Sequence, residues 1–299
     1  MSQRVQIRML PDGRRLLMHD GPIDVIAGAF GGASEIEVAY QAAAVRFVGV
    51  LDESCAELAF LRAPACVDGA LPSGAIARRM LAAVRPYASK IFITPMAAVA
   101  GAVSEVILEA MTSNANLSRA YVNDGGDIAL YLAPGEKFVV GMVERPDRAS
   151  LFGTTTIQSR DPIRGIATSG WRGRSFSLGI ADAVTVLADT AAMADAAATV
   201  VANEVDLPGH PGIARVPALE LAPDSDLGER LVTQSVGELA PSEICDALDA
   251  GIQVAEALRG SGLIRAAALN LRGETRVLAA AGCLQLVDTW VRDGSLSHA

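Results

Sequence analysis

The chain has 299 residues, a formal net charge of −9 and a pI of about 4.9. Hydrophobic residues make up 51% and charged residues 20%, which excludes a disordered chain. The acidic balance leaves no basic stripe for nucleic acid and argues against an anionic membrane surface.

In chain order, residues 4–9 and 13–18 flank Pro11-Asp12-Gly13 and read as a hairpin, with a third extended segment over 22–28. Glu35 to Leu61 reads as a long Ala-rich helix, broken near Asp52. Pro72-Ser73-Gly74 opens a second helix to about Pro86, with Ser73 as its cap. Ile91–Thr94 is a short apolar strand, and Pro95 then starts an Ala/Gly-rich helix to about Met111. The middle third reads as strands over 118–123, 127–133, 137–143, 153–158 and 182–188. Thr190 to Asn203 is a helix buried on most sides. Residues 206–229 form the one long loop, a candidate lid or binding loop. Pro241 opens a last helix to Gly260, strands cover 263–271 and 275–280, and the final residues fray. These elements predict one α+β domain over 1–299: a two-layer architecture of antiparallel sheets with helices on one face.

No segment reaches the length of a membrane span, and the N-terminus carries no secretory h-region, so a cytoplasmic protein is expected. Cys55, Cys66, Cys245 and Cys283 show no zinc spacing and read as free buried thiols. Three histidines, His298 among them in the tail, leave little room for His-based metal or Ser-His-Asp chemistry.

Three segments carry chemistry. In Asn123-Asp124-Gly125-Gly126-Asp127, adjacent glycines let a phosphate approach backbone N–H groups, and Asp127 can face a metal or ligand hydroxyl. The bland alternative is a plain hairpin turn. Thr168-Ser169-Gly170-Trp171-Arg172-Gly173-Arg174-Ser175 combines hydroxyls with two guanidinium groups that match phosphate oxygens, unless it is a solvated loop. Asp195 and Thr199 stand four apart on the apolar helix, so both oxygens face one way and suit Mg2+. The alternative is a local hydrogen bond on an exposed stripe.

These segments, Asn123–Ile128, then Thr168–Gly170, then Ala194–Thr199, resemble in order the motifs of the ApbE family, the FAD:protein FMN transferases, over roughly residues 90–205. More closely, the string from Thr168 through Asn203 resembles a UPF-series family of ApbE-like proteins. The resemblance implies an ApbE-like, T-fold-related architecture. It also implies Mg2+ on Asp195 and Thr199, FAD or another nucleotide diphosphate as ligand, and Asn123–Asp127 lining the pocket. The chain departs from the family at Ala100, where the family has Lys, and at Ser175–Gly179, where the family has His-Ile-Ile-Asp-Pro. With that histidine gone, Asp127 and Asp182 are the candidate bases.

Three readings stay open: a flavin- or nucleotide-diphosphate transferase distinct from the exported FMN transferases, an enzyme of pterin or one-carbon cofactor biosynthesis, and a non-catalytic ligand-binding protein. All take a small-molecule partner, and none settles whether the chain forms a homo-oligomer.

Overall fold

The computed structural model describes residues 4–145, 148–279 and 284–286. The strands are β1 (Gln6–Met9), β2 (Arg15–Asp20), β3 (Ile23–Gly31), β4 (Leu117–Asp124), β5 (Asp127–Leu132), β6 (Lys137–Arg145) and β7 (Arg148–Gln158). They continue as β8 (Gly165–Ser169), β9 (Ala183–Ala188), β10 (Ile213–Pro217), β11 (Leu231–Val236), β12 (Ala266–Leu271), β13 (Glu274–Leu278) and β14 (Leu284–Leu286). The helices are α1 (Ala33–Phe47), α2 (Val50–Ala56), α3 (Leu58–Leu61), α4 (Ala75–Val84), α5 (Val99–Asn114), α6 (Ala191–Glu204), α7 (Ala218–Leu221) and α8 (Pro241–Gly260), with a 3-10 turn at Pro95–Ala98.

Nine strands form one antiparallel sheet in the order β1-β2-β3-β4-β5-β8-β9-β12-β13. Side chains alternate between the two faces along each strand, and β9 and β12 are buried along their whole length. Val25, Ala27 and Ala29 of β3, and Ala120 and Val122 of β4, face the helices. Leu130, Leu132, Ile166 and Leu187 face the other way and meet Phe138, Val140 and Ile157 of the β6–β7 hairpin. Helices therefore gather on one face, as expected, and a small sheet of β14-β7-β6 covers part of the other.

The small side chains of α5 and α6 allow near-contact of backbones. A Cβ on Gly101 would lie 2.4 Å from the Ala191 carbonyl oxygen, and one on Gly165 would lie 2.0 Å from that of Thr190. Only glycine fits at these two positions, which clasp the first turn of α6 from a helix and from a strand. The run Pro95–Asn114 is long and apolar enough to cross a membrane; here α5 is the central helix, packed against α1, α4, α6, β4 and β5.

Several sequence expectations are corrected. The helix over 35–61 is three helices, and the breaks fall at Val48-Gly49 and Glu57 rather than at Asp52. Ser73 caps nothing: Gly74 is the N-cap of α4, and Glu57 and Glu53 accept its leading N–H groups, Ser73 N at 2.9 Å and Ile76 N at 3.2 Å. Ile91–Thr94 is not a strand. Ile93 is buried there, and Phe92 lies under the Arg230 guanidinium, so its apolarity serves loop packing. Residues 206–229 hold β10 and α7, and β10 pairs with β11. Cys55 and Cys66 are exposed and Cys245 half-buried, against the expectation of buried thiols. The expectations for Cys283, for the end of the last strand at residue 280 and for the frayed tail lie outside the described residues.

Candidate functional site

A cleft of about 540 Å3 opens where the β4–β5 turn, the loop after β8 and the first turns of α5 and α6 meet. The turn is built by sequence: Asn123 accepts the Gly126 N–H at 2.8 Å, and Gly125 and Gly126 adopt φ of +65° and +118°, conformations that glycine adopts without penalty. Asn123 itself is not part of the cleft wall; it shapes the turn. Gly125, Gly126 and Asp127 do line the cleft, so the hairpin reading and the pocket reading of this segment describe the same residues.

Thr168, Ser169 and Gly170 form the next wall. Thr168 donates its N–H to Asp127 at 3.3 Å, while its hydroxyl is spent on Thr185 at 2.9 Å. Arg172, Arg174 and Ser175 close that side. Arg172 is only 18% exposed: it lies over the Trp171 ring and donates to Asp182 at 2.5 Å. Arg174 is more open. It reaches Asp24 at 3.3 Å and Asp124 at 3.8 Å, and its guanidinium lies where a Cβ on Gly125 would be.

Asp195 and Thr199 of α6 face the cleft together. Asp195 makes no local bond on an exposed stripe. Its Oδ2 accepts the Gly101 N–H at 3.0 Å, at the start of α5, where the helix dipole favours a carboxylate. In return, Glu105 of α5 accepts the Ala192 N–H at 2.8 Å, at the start of α6. Each helix thus caps the other.

The electrostatics are unusual. Burial raises Asp124 to about 7, with Arg174 and the Asp24 N–H opposing. Burial also raises Asp195 to about 7, against the Gly101 and Ala100 N–H groups. Asp127 is pushed well up by burial and then by the charges of Asp195 and Asp124. Asp127 and Asp195 keep part of their surface open to the cleft, but protein surrounds them on the other sides. Burial raises all three carboxyls, Asp124 adds to Asp195 and Asp127, and Asp195 adds to Asp127, while Arg174 opposes the rise at Asp124 and Asp127; an acidic cluster of this kind can take a cation. Among the described residues no three acidic, His or Cys side chains are arranged to hold a metal by themselves. A divalent ion at Asp195 would therefore draw on the Thr199 hydroxyl, backbone or water oxygens, and the oxygens of a ligand, the donor set of Mg2+.

Asp182 does not reach the cleft. It is buried, with one oxygen on Arg172 and the other accepting the Arg272 N–H at 2.7 Å. It positions Arg172. Sequence reading places Asp124 in the pocket segment but gives it no role of its own. Its place two residues beyond Val122 and four beyond Ala120 puts it on the helix-facing side of β4, a signal that strand parity carries. None of residues 206–229 lines this cleft.

Because Asp124 is raised above its unfolded value of 3.8, its contribution to stability is fully present below that pH and is lost as pH rises through about 7. Asp124→Asn removes the ionisation. The variant is expected to gain on the order of 2 kcal/mol over the parent at pH 8 and to match it near pH 4. Urea unfolding at both pH values measures this; a gain that is equal at the two would show that Asp124 is not the titrating group.

A family model described as AbpE bacteria matches residues 7–277. The chain belongs to that family. The match covers nearly all the described structure, including every wall of the cleft. The chain is also similar to the UPF0280 protein of Methanosarcina acetivorans, 41% identical over 116 residues, or 38% of this chain and 44% of the relative. The UPF0280 protein of Methanocella arvoryzae is 40% identical over 131 residues, 44% and 50% of the two chains. That of Methanothermobacter thermautotrophicus is 39% identical over 152 residues, 50% and 56%. The chain spans about half the length of the curated relatives it matches. None of these names states a ligand or a reaction.

Proposed function

We propose that this protein is a cytoplasmic transferase that binds FAD or another nucleotide diphosphate together with Mg2+ in the cleft beside Asp127. One observation carries the reading: Asp124, Asp127 and Asp195, all raised by burial, share a cleft with Arg172, Arg174 and a glycine turn. A site that pairs acids with arginines in this way suits a metal and an anion arriving together. An adjoining chamber of about 580 Å3 supports an amphipathic ligand. It shares Ala100, Asp124, Arg174 and Ser175 with the cleft, and its other walls include Leu51, Leu58, Met96, Val99 and Val103. A phosphate-bearing end would occupy the polar part and a ring system the apolar part.

Asp195 and Thr199 would hold the cation, whose chemistry is to polarise the diphosphate. Arg174 would bind a phosphate oxygen, since its acidic partners among the described residues, Asp24 and Asp124, lie at 3.3 and 3.8 Å. Arg172, fixed by Asp182 and Trp171, would present its remaining N–H groups without rearrangement. Asp127 is the base within reach. Burial and the neighbouring Asp195 and Asp124 charges hold its carboxyl above the usual range, the direction that makes a carboxylate the stronger base. Biosynthesis of a pterin or one-carbon cofactor is the second reading, favoured by the apolar chamber, which can seat a fused ring without a diphosphate.

The test is to identify any co-purifying ligand by visible spectrum and mass spectrometry, then to titrate FAD calorimetrically with and without Mg2+. Mg2+ is expected to tighten FAD at least about tenfold. With a peptide carrying the FMN-transferase acceptor motif, FMN–peptide is expected not to accumulate at the rate of an exported transferase, given Ser175–Gly179 in place of the histidine loop. A pterin that binds where FAD does not would favour the second reading, and failure of both ligands would leave neither.

A further inference from the structure

A second cavity, of about 490 Å3, lies away from the acidic cleft and shares no residue with it. It exists because the first hairpin stops short. β2 begins at Arg15, opposite Gly28, while β3 runs on to Gly31 against β4. The last residues of β3 therefore face a notch where a strand partner would be.

The notch is constructed from specific side chains. The Tyr40 hydroxyl spans it, accepting the Ala29 N–H at 3.1 Å and donating to the Arg14 carbonyl, and so replaces the missing strand bonds. Gly28 has no side chain to obstruct it: a Cβ there would lie 2.3 Å from the Tyr121 ring, so that ring lies across the strand as a flat wall. Phe30, 38% exposed, supplies a second ring, and the Arg119 guanidinium sits 4.4 Å from its centroid. Arg14 and Arg15 line the mouth. Asp12 neutralises Arg15 at 2.5 Å, whereas the Arg14 guanidinium makes no ion pair among the described residues. On a protein of net charge −9, this is a local cationic and aromatic pocket.

We infer that this notch is a second ligand site, for a small planar aromatic anion whose ring lies against Tyr121 and Phe30 and whose charged group meets Arg14. Flat rings stack on aromatic walls, and a guanidinium pairs with either a carboxylate or a phosphate. The volume lies within the range of small-molecule sites. At roughly 3.3 Å per residue along β3, Gly28 stands about 13 Å from Asp24 at the edge of the acidic cleft. The two sites can therefore be filled independently, and this inference does not rest on the function proposed above.

The test is calorimetric titration in EDTA, which removes metal-dependent binding at the cleft. AMP and benzoate carry the phosphate and carboxylate forms of the ligand; adenosine and inorganic phosphate each lack one half. AMP, benzoate or both should bind saturably, and the better of the two identifies the preferred anion. Adenosine and phosphate alone should bind at least about tenfold more weakly. Arg14→Ala removes an exposed side chain with no ion pair among the described residues and should cost about tenfold, as should Phe30→Ala, while Arg174→Ala in the acidic cleft should leave affinity within about twofold. Unchanged affinity in both notch variants, loss in the Arg174 variant, or no binding of AMP or benzoate below about 10 mM would each overturn the inference.

Discussion

Asp195→Asn is expected to weaken Mg2+-dependent FAD binding at least tenfold, about 1.4 kcal/mol or more, without loss of apo stability. Asparagine keeps an oxygen that can accept the Gly101 N–H, so the junction of α5 and α6 survives. What disappears is the negative charge, and with it the attraction for a divalent cation. The same change removes a repulsive neighbour of Asp127, whose pKa Asp195 raises, so the apo variant should be as stable as the parent or more so at pH 8. Affinity falling while stability holds or rises is the pattern of a residue kept for binding. Calorimetry with and without Mg2+, alongside urea unfolding, separates the two effects. If Mg2+ leaves FAD affinity unchanged in the parent protein, the cation assignment fails. If Mg2+ tightens FAD equally in parent and variant, the cation sits elsewhere.

Gly101→Ala is expected to destabilise the fold by about 3 kcal/mol, at the upper end of the cost of overpacking. Its Cβ would lie 2.4 Å from the Ala191 carbonyl oxygen and 2.6 Å from the Ala192 nitrogen. Both are backbone atoms of the first turn of α6 and cannot swing aside as a side-chain tip would. Gly260→Ala is the control: nothing lies within 4 Å of its Cβ position at the end of α8, and alanine there should be neutral or stabilising by about 0.5 kcal/mol. Because Gly101 also donates its N–H to Asp195, its variant should lose Mg2+-dependent binding as well as stability. A Gly101→Ala protein that unfolds at the parent's urea concentration would show that the two helices can part without cost.

Periodicity made the antiparallel strands and the main helices legible, and glycine and carboxylate spacing made most of the cleft legible. The errors have separate physical causes. The three helices over 33–61 share a composition that fits one long helix, and the breaks depend on Gly49 and on Glu57, which turns to hold the start of α4. β8 has no counterpart in the sequence reading; it starts at Gly165, a glycine required by the Thr190 carbonyl behind it. Ile91–Thr94 has the composition of a strand but forms no ladder among the described residues: the Ile93 carbonyl accepts an isolated bond from the Ala65 N–H at 2.8 Å. Asp182 is a candidate base in the sequence because the family's histidine is missing, yet Arg172 and the Arg272 N–H, the latter 90 residues distant, engage both its oxygens. Partners of that kind are set by topology, and local pattern does not encode them.

The mutual capping of α5 and α6 bears on the order in which the protein folds. The bond from Gly101 to Asp195 spans 94 residues, and that from Ala192 to Glu105 spans 87. Contacts of such separation carry a large loop-closure cost and are late to be rewarded. The cleft should therefore be absent from every shorter fragment that lacks either helix, and absent from the nascent chain until α6 has emerged and docked. Any molecule that binds there selects the finished topology and draws the population toward it by mass action, so saturating ligand should protect amides throughout the nine-stranded sheet from hydrogen exchange.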